Sequence, residues 1–309
     1  SSIVATQPVR GGIIDRESIV LADNRVSYAV AILPKDVKSI DSTFSLLESQ
    51  INLTAFDKKK YAKQLKQAKN FDWVIIKDDL SNTEVANLTS HNYLFPELNV
   101  FAHTKRYYPF SDLYAHSIGY VGRVSVIDKK KLNSSGTLSN YVSNDYIGKS
   151  GLEQQYESMM RGSIGKKVIR TDAFGNEVGL ISNTPAVDGY TLQLTIDNRL
   201  QQKASQLLGD RKGAIVALDP QTGGVLVFVS KPSYDANLFL DGISPEDWDE
   251  LQQDKGNPLL NRTIQGTYPP GSTFKPFLAA ASLYLGVRNA NYRFQICSGS
   301  HGSRFASPR

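Results

Sequence analysis

Residues 268–276 read Tyr-Pro-Pro-Gly-Ser-Thr-Phe-Lys-Pro, and this stretch predicts a helix start that carries a serine and a lysine. Pro276 lacks a backbone N–H, so it is tolerated in the first turn of a helix and not deep inside one. The helix is therefore predicted to begin near Ser272. Residues three positions apart lie on the same helical face, which brings the Lys275 amine within reach of the Ser272 hydroxyl.

This pair has the chemistry of an activated nucleophile. A serine hydroxyl attacks poorly until a neighbouring base accepts its proton. A lysine serves as that base where burial or neighbouring cations favour its neutral form. The first N–H groups of the helix also point toward the place where a tetrahedral oxyanion would form. Ser272 is therefore a candidate nucleophile and Lys275 its candidate general base.

The tetrapeptide Ser-x-x-Lys alone also has a simpler interpretation. A serine N-cap followed by an exposed lysine in the first turn gives the same pattern. A second copy, Ser163 to Lys166, lies among Gly162 and Gly165 and is predicted to be a solvated loop. The surrounding sequence is what distinguishes the two copies.

Four further stretches resemble, in the same order, the motifs of class B penicillin-binding proteins. Ser-x-x-Lys is itself a motif of penicillin-binding proteins and of class A β-lactamases. Four more motifs in the family's order are far more specific than one tetrapeptide. They are Arg10 to Arg16 with Leu21-Ala22, Arg106 to Pro109 with Ala115 to Tyr120, Gly148 to Glu157 with Gly162 and Gly165, and Ala217 to Leu226.

Within that family the sequence is most similar to the elongation type, penicillin-binding protein 2. The serine follows Tyr-Pro-Pro-Gly, whereas division-type relatives usually carry Glu-Pro-Gly. The lead-in segment, residues 232–244, is also similar to the elongation type. One departure is Ser18, where the family's first motif normally has glycine.

The resemblance implies a serine D,D-transpeptidase that cross-links peptidoglycan stem peptides during cell elongation. Ser272 would attack the carbonyl between the two terminal D-alanines of a stem peptide, and Lys275 would accept the serine proton. An amine of a neighbouring stem peptide would then resolve the acyl-enzyme. β-Lactams would acylate the same serine, and no cofactor would be needed, because an activated serine suffices for acyl transfer.

The resemblance also implies partners and a location. The implied protein partners are a SEDS-family glycosyltransferase and an elongation scaffold protein. A single-pass anchor, absent from this chain and expected before Ser1, would hold the protein on the periplasmic face of the bacterial inner membrane. Net charge +5 and a pI near 9.0 suit an acidic surface, whether anionic lipid or an acidic polymer. Nucleic acid is not expected, because no DNA- or RNA-binding motif accompanies the basic residues.

The resemblance implies an α+β fold class with two domains. Residues 1–188 would form a mixed α/β pedestal, a non-catalytic domain of the dimerisation type. Residues 189–309 would form the front part of a penicillin-binding transpeptidase domain, an antiparallel sheet with helices. The family's later motifs, Ser-x-Asn and Lys-Thr/Ser-Gly, do not occur between Ser272 and Arg309. We therefore expect a polypeptide that ends at Arg309 to be inactive toward β-lactams and stem peptides.

Local patterns predict the elements of this fold. Two apolar runs flank Asp-Pro-Gln-Thr-Gly-Gly and predict a β-hairpin. Serine or aspartate N-caps, two of them followed by an acidic residue three positions later, predict helix starts. The predicted elements are strands 28–33, 190–196, 214–218 and 225–229, helices 56–68, 82–91 and 272–284, helices starting at Ser125 and Asp197, and a loop over 136–144.

Other polar residues are weighed against structural roles. Cys297 is the only cysteine, so no intrachain disulfide can form. Cys297 and His301 are weak candidates for metal ligands, but two ligands do not make a tetrahedral site, so no metal is predicted. Asp235 and Asn237 are predicted to fix a turn in the lead-in segment. Buried charges are usually paired rather than catalytic, so five motif residues are predicted to be structural: Asp15, Arg16, Arg106, His116 and Glu153.

Two functions of other classes share parts of the pattern. A β-lactam-binding sensor or a β-lactamase carries the same Ser-x-x-Lys helix, although the long pedestal argues against both. Alternatively, the chain is a non-catalytic interaction module that acts through its pedestal. A stable penicillin adduct, rapid turnover or no reaction would distinguish these possibilities.

Overall fold

The structure is a computed structural model that describes the chain from residue 2 to residue 305 with several gaps. The described part divides between two compact units, Ser1–Gln265 and Gly266–Arg309, and each is described by itself. No helix within the described ranges is both long and apolar enough to cross a membrane. The residues outside the description are 1, 33, 35–36, 38–39, 49, 55–56, 59–60, 63, 66–73, 92–97, 142–144, 172–176, 293–295, 298–303 and 306–309.

Helices occur together with mainly antiparallel strands, in agreement with the predicted α+β class. The strands are β1 Ser2–Thr6, β2 Ile13–Ile14, β3 Val20–Ile32, β4 Val74–Lys77, β5 Leu98–Tyr107, β6 Val121–Arg123, β7 Tyr146–Gly148, β8 Gly165–Thr171, β9 Glu177–Thr184, β10 Leu192–Gln193, β11 Gly213–Leu218, β12 Val225–Lys231, β13 Ile296–Cys297 and β14 Arg304–Phe305. The α-helices are α1 Ile40–Glu48, α2 Asn82–Ser90, α3 Ala115–Ile118, α4 Val126–Ser134, α5 Gly151–Gln155, α6 Glu157–Met160, α7 Asn198–Leu208, α8 Pro245–Gln253 and α9 Lys275–Tyr284.

A five-stranded sheet of the larger unit is built around β3. Its strand order is β10-β2-β3-β4, and β5 also pairs with β3. β3 and β5 run antiparallel from the pair Asp23–Tyr107 to the pair Ile32–Leu98. A separate antiparallel sheet has the order β1-β8-β9, and β11 pairs with β12 as a hairpin.

Three hydrophobic cores form in the larger unit. The first core joins the pedestal motifs to the lead-in segment, since Ile13, Leu21 and Ile118 share it with Tyr234 and Phe239. The second core lies at the other end of β3, where it packs side chains of α1, β4 and α2. Its buried residues are Val30, Ile32, Phe44, Leu47, Ile51, Leu53, Tyr61, Leu65, Val74, Ile76, Leu80, Leu88 and Leu98. The third core packs Ala204 of α7 on Val227 and Val229 of β12.

A buried carboxylate, Glu153, links three of the sequence motifs. Its side chain is 0% exposed and accepts hydrogen bonds from Arg10 Nε at 2.8 Å and Arg106 Nε at 2.7 Å. Tyr108 Oη donates a third, at 3.2 Å, and itself accepts from the Val121 N–H at 2.9 Å. Burial alone would raise the pKa of Glu153, but the guanidinium groups of Arg106 and Arg10 outweigh burial and lower it. The carboxylate is therefore held in its charged form.

Close packing around this carboxylate depends on a glycine. A Cβ on Gly148 would lie 2.1 Å from the Glu153 carbonyl oxygen, so no other residue fits between β7 and α5 without a backbone shift. Ser18, where the family normally has glycine, has φ 66°. This left-handed conformation disfavours residues with a Cβ, which gives a physical reason for the usual glycine.

The local helix and hairpin predictions are confirmed. Ser81 with Glu84 and Ser125 with Asp128 form capping boxes at the starts of α2 and α4. Asp197 caps α7 by accepting from the N–H groups of Arg199 and Leu200. The predicted hairpin forms: β11 and β12 pair antiparallel from the pair Gly213–Lys231 to the pair Leu218–Val225, with a register shift between Ala217 and Leu218.

The predicted bounds of several strands and loops were less accurate. The strand expected over 28–33 begins at Val20, and the strand expected over 190–196 covers only Leu192–Gln193. The second Ser-x-x-Lys copy is not a loop: Ser163 bridges to Val187, and Lys166 lies within β8. The predicted loop 136–144 contains a 3₁₀ helix, Leu138–Asn140, and residues 142–144 lie outside the description. Part of helix 56–68 also lies outside it; residues 57–58, 61–62 and 64–65 are helical.

Replacing Glu153 with alanine should strongly destabilise the protein. The substitution leaves two guanidinium groups, 11% and 2% exposed, without their shared anion. Breaking a buried pair from one side costs about 3–5 kcal/mol of unfolding free energy. Denaturant unfolding monitored by circular dichroism measures the loss. Arg16→Gln is the control, because Arg16 is 48% exposed and should change stability by less than about 0.5 kcal/mol. Equal stability of the Glu153→Ala variant and the wild type would contradict this role.

Candidate active site

The predicted helix start at Ser272 is confirmed, and its first turn is a 3₁₀ turn. Ser272 lies in the 3₁₀ helix Gly271–Phe274, and Lys275 is the first residue of α9. The Lys275 backbone N–H donates to the Ser272 carbonyl. Gly271 has φ 55°, a conformation that glycine adopts without the steric cost of a Cβ. α9 ends at Tyr284, and Gly286 follows with φ 68°, as expected for a glycine after a helix.

The side chains of Ser272 and Lys275 both face solvent. Within the described residues neither side chain makes a hydrogen bond or an ion pair. The large apolar side chains on α9 are exposed too, including Phe277 at 69% and Leu278 at 55%. An exposed apolar surface of this kind marks a face that another part of a protein covers. The roles of Ser272 and Lys275 therefore remain predictions, on a helix whose start has the expected geometry.

The lead-in segment is clamped to the second pedestal motif by one amide side chain. Asn237 Oδ1 accepts from the Tyr108 N–H at 3.1 Å, and Asn237 Nδ2 donates to the Tyr108 carbonyl at 3.0 Å. Asp235 Oδ1 accepts from Asn237 Nδ2 at 2.9 Å, which orients the side-chain amide, and from the Asn237 backbone N–H at 2.8 Å. Both residues fix the turn, as predicted. The pairing of Asn237 with Tyr108 was not predicted, because the two residues are far apart in sequence.

Aromatic contacts also attach the lead-in segment to the second motif. Phe239 stacks on Tyr120, with ring centroids 4.3 Å apart. Tyr234 meets His116 edge to face at 5.3 Å and donates its hydroxyl hydrogen to the Ala115 carbonyl. Burial lowers the pKa of His116 and favours its neutral form. The second motif therefore forms the surface on which the lead-in segment packs.

Residues 256–262 are held by a buried arginine that the sequence did not single out. Arg262 is 8% exposed and donates to the carbonyls of Gly256 and Asn257. Asn261 Nδ2 donates to the His116 carbonyl at 3.0 Å. Backbone carbonyls supply the acceptors here, and no residue pattern in the sequence marks such a site.

Of the other polar candidates, Asp15 has the predicted structural role and Arg16 does not. Asp15 is buried and accepts from the N–H groups of Glu17, Ile19 and Asn198, which ties the first motif to α7. Arg16 is exposed, and its Nε lies 3.6 Å from Glu17 Oε1. Its side chain does not hold the pedestal together.

The weak metal candidates lie at the edge of the described region. Cys297 belongs to β13, but its side chain and the whole of His301 lie outside the described residues. Among the described residues there is no group of three or more His, Cys, Asp or Glu side chains that could hold a metal ion.

Two family models match the chain, one after the other. The model described as the penicillin-binding protein dimerisation domain matches residues 5–194. The model described as the penicillin-binding protein transpeptidase domain matches residues 213–306. The second range contains Ser272 and Lys275.

Curated relatives and solved structures are similar over nearly the whole chain. Peptidoglycan D,D-transpeptidase MrdA of Escherichia coli K12 is 38% identical over 94% of this chain and 46% of its own length. MrdA of Acinetobacter baumannii is 38% identical over 91% and 41%. The Helicobacter pylori PBP2 structure solved with MreC has a TM-score of 0.84 at 27% identity, covering 98% of this chain and 57% of that one. Pseudomonas aeruginosa PBP2, solved with WCK 5153, has a TM-score of 0.62 at 29% identity, covering 98% and 47%. The chain spans less than half the length of these curated relatives.

Removing the Asn237 side-chain amide, which bonds to Tyr108, should destabilise the protein, although Asn237 lies outside the Ser272 helix. Asn237→Ala removes both hydrogen bonds to Tyr108 and leaves the Tyr108 N–H without its acceptor, whereas the Tyr108 carbonyl still accepts from the Ser111 N–H at 3.1 Å. We expect a loss of about 1–3 kcal/mol, measured by denaturant unfolding of the full-length protein. Asp249→Ala on the exposed face of α8 is the control and should change stability little. If both substitutions had the same effect, the amide clamp would not be a significant attachment.

Proposed function

Because this chain belongs to the penicillin-binding proteins that combine a dimerisation domain with a transpeptidase domain, we propose that its protein is a serine D,D-transpeptidase of the elongation type. The observation that carries the proposal is the start of the α9 helix. It places Ser272 in the first turn and Lys275 at the first α-helical residue, within the range that the transpeptidase family matches. The MrdA relatives are named for this reaction.

The mechanism follows from the two side chains. Lys275 Nζ, in its neutral form, accepts the proton of the Ser272 hydroxyl as Oγ attacks the carbonyl between the terminal D-alanines of a stem peptide. The C–N bond breaks, the leaving amine takes a proton, and D-alanine departs. The amine of a second stem peptide then attacks the acyl-enzyme ester, and the Ser272 hydroxyl is restored. β-Lactams acylate Oγ by opening their ring, and no cofactor enters.

The exposure of α9 to water affects whether Lys275 can act as the base. A lysine surrounded by water stays protonated and is a poor base, whereas burial or nearby cations favour its neutral form. We propose that further residues of the transpeptidase domain, which the longer relatives have room for, cover the apolar face of α9 and enclose Lys275. Ser272 and Lys275 would then become an active pair only in the complete domain.

We also propose that the two parts of the chain have different functions. Residues 1–188 would serve as a non-catalytic pedestal, and residues 189–309 would begin the catalytic domain. The pedestal would dock an elongation scaffold protein; the similar H. pylori PBP2 was solved as a complex with MreC. A SEDS-family glycosyltransferase would be its other protein partner, and an N-terminal anchor would place both at the periplasmic face of the inner membrane.

The alternative functions predict different reactions with penicillin. A transpeptidase or a sensor forms a stable adduct, a β-lactamase turns the compound over, and an interaction module does not react. The reaction of the full-length protein with a fluorescent penicillin, followed by gel and by absorbance, distinguishes these outcomes. Only the transpeptidase also cross-links stem peptides.

Ser272→Ala should abolish penicillin labelling of the full-length protein and leave its fold intact. The hydroxyl is the one group removed, and the acyl bond forms on its oxygen. Intact-mass analysis after incubation with a β-lactam is the measurement. Ser163→Ala is the matched control, because it removes the serine of the second Ser-x-x-Lys copy and should label normally. A covalent adduct on Ser272→Ala would place the nucleophile elsewhere.

Lys275→Arg should slow acylation as much as Lys275→Ala. Arginine keeps the positive charge but does not lose its proton in a protein, so it cannot act as the base. General-base catalysis contributes about 10²- to 10⁴-fold, which is the expected loss of acylation rate in stopped-flow measurements. An arginine variant that acylated at the wild-type rate would show that Lys275 serves as a fixed charge only.

A further inference from the structure

The three-stranded sheet β1-β8-β9 stands apart from the rest of the larger unit. None of its described side chains belongs to the three hydrophobic cores. In the described part of the chain, no other helix or strand packs on it to more than a marginal extent. Small sheets are normally stabilised by packing a hydrophobic face against another element. This sheet therefore has surface that is open to contact from outside the larger unit.

The outer strand β9 exposes apolar side chains to solvent. Val178 is 63% exposed, Leu180 59% and Ile181 52%. The register between β8 and β9 shifts twice, and Val178 and Ile181 are the residues of β9 that lie between paired positions. Each is therefore the extra residue of a β-bulge. Val187, also mostly exposed, bridges to Ser163 just beyond the end of the hairpin and extends the apolar surface.

The middle strand β8 carries three basic side chains that are exposed to solvent: Lys166, Lys167 and Arg170. Among the described residues, none of these three side chains forms an ion pair or a hydrogen bond. The acidic residues of the hairpin sequence, Asp172 and Glu177, come after the three cations, beside the turn that joins the strands. At the other end of the hairpin, the two lysines pair with the uncharged Thr184 and Asn183. The sheet thus combines exposed apolar side chains with cations that have no partner among the described residues.

This combination suits an anionic lipid surface better than a protein partner. The two bulges make β9 a poor template for an added strand, because each one interrupts the ladder of backbone groups. The three strands contain no aromatic residue, whereas the cores of protein interfaces are enriched in aromatic side chains and depleted in lysine. At a bilayer, lysine and arginine reach the anionic headgroups while their stems and the apolar side chains enter the acyl boundary.

We propose that the β1-β8-β9 sheet lies on the surface of an anionic lipid bilayer. The basic side chains of β8 contact headgroup phosphates, and the exposed apolar side chains of β9 enter the boundary between headgroups and acyl chains. Contact at this sheet determines which side of the larger unit faces the membrane. The inference goes beyond the proposed reaction and shares with it only the proposed location at the inner membrane.

The test is the binding of the 309-residue chain to lipid vesicles, measured by sedimentation. Each basic residue near an anionic lipid surface strengthens binding by about 5-fold, so three together contribute about 100-fold. We expect the chain to bind vesicles of phosphatidylglycerol and phosphatidylcholine, and to bind pure phosphatidylcholine far more weakly. Removing the three cations of β8 should weaken binding to the anionic vesicles by about 100-fold, in a variant that combines Lys166→Gln, Lys167→Gln and Arg170→Gln.

A matched control removes the same charge from another exposed surface, the helix α4, in a variant that combines Lys129→Gln, Lys130→Gln and Lys131→Gln. This variant should bind the anionic vesicles as the wild type does, because its lysines lie outside the sheet. Leu180→Ser with Ile181→Ser should weaken binding by at least about 5-fold, since these side chains would no longer gain from leaving water. Both residues are exposed, so their replacement leaves the hydrophobic cores unchanged.

Hydrogen exchange of the wild type gives a second readout that needs no variant. Anionic vesicles should slow the exchange of backbone N–H groups in β9 and leave the β11–β12 hairpin unchanged. No binding to anionic vesicles, equal loss in the two triple variants, or unchanged exchange in β9 on binding would each overturn the proposal. Binding to soluble poly-L-glutamate without binding to vesicles would also overturn it and assign the surface to an acidic macromolecule. Penicillin labelling of the full-length protein tests the proposed reaction separately, because none of these variants alters the Ser272 helix.

Discussion

The structure depends on one buried negative charge, the carboxylate of Glu153. An ion removed from water is stable only where opposite charges and hydrogen bonds replace its hydration. Arg10 and Arg106 supply the charges, and the Tyr108 hydroxyl supplies a further hydrogen bond. Because these groups come from β5, α5 and the segment before β2, their pairing sets the relative positions of elements that are far apart in sequence.

The groups around Glu153 also fix the position of the lead-in segment, which precedes Ser272 in the chain. Tyr108 bonds through its hydroxyl to β6 and through its backbone to Asn237 in the lead-in segment. Phe239 and Tyr234 pack into the first core beside it. The first three motifs thus support the lead-in segment, and the buried carboxylates of Asp15 and Glu153, which could be mistaken for catalytic groups, are engaged in structural hydrogen bonds. In contrast, the side chains of α9 are mostly exposed to solvent.

Most local features could be predicted from the sequence because they depend on neighbours within a few residues. The capping boxes at Ser81 and Ser125 and the N-cap at Asp197 each need only their own first turn. The hairpin between β11 and β12 follows from its turn residues. Strand limits were predicted less well, since β3 begins at Val20 through its pairing with β2 and pairs from Asp23 onward with β5, a strand distant in sequence. Burial along α7 does not follow side-chain polarity, because Gln201 is fully buried while Leu200 and Leu207 are exposed.

The sequence by itself determined the family, the order of its motifs and the helix start at Ser272, since each is written in contiguous residues. Only the tertiary structure decided what the polar residues do. Glu153 became the centre of a buried network and Arg16 a surface residue, although both belong to motifs. Arg262, which is buried and donates to backbone carbonyls, had no signal in the sequence at all. The physical reason is that the energy of a charge depends on its burial and on its partners, and both are properties of the folded chain.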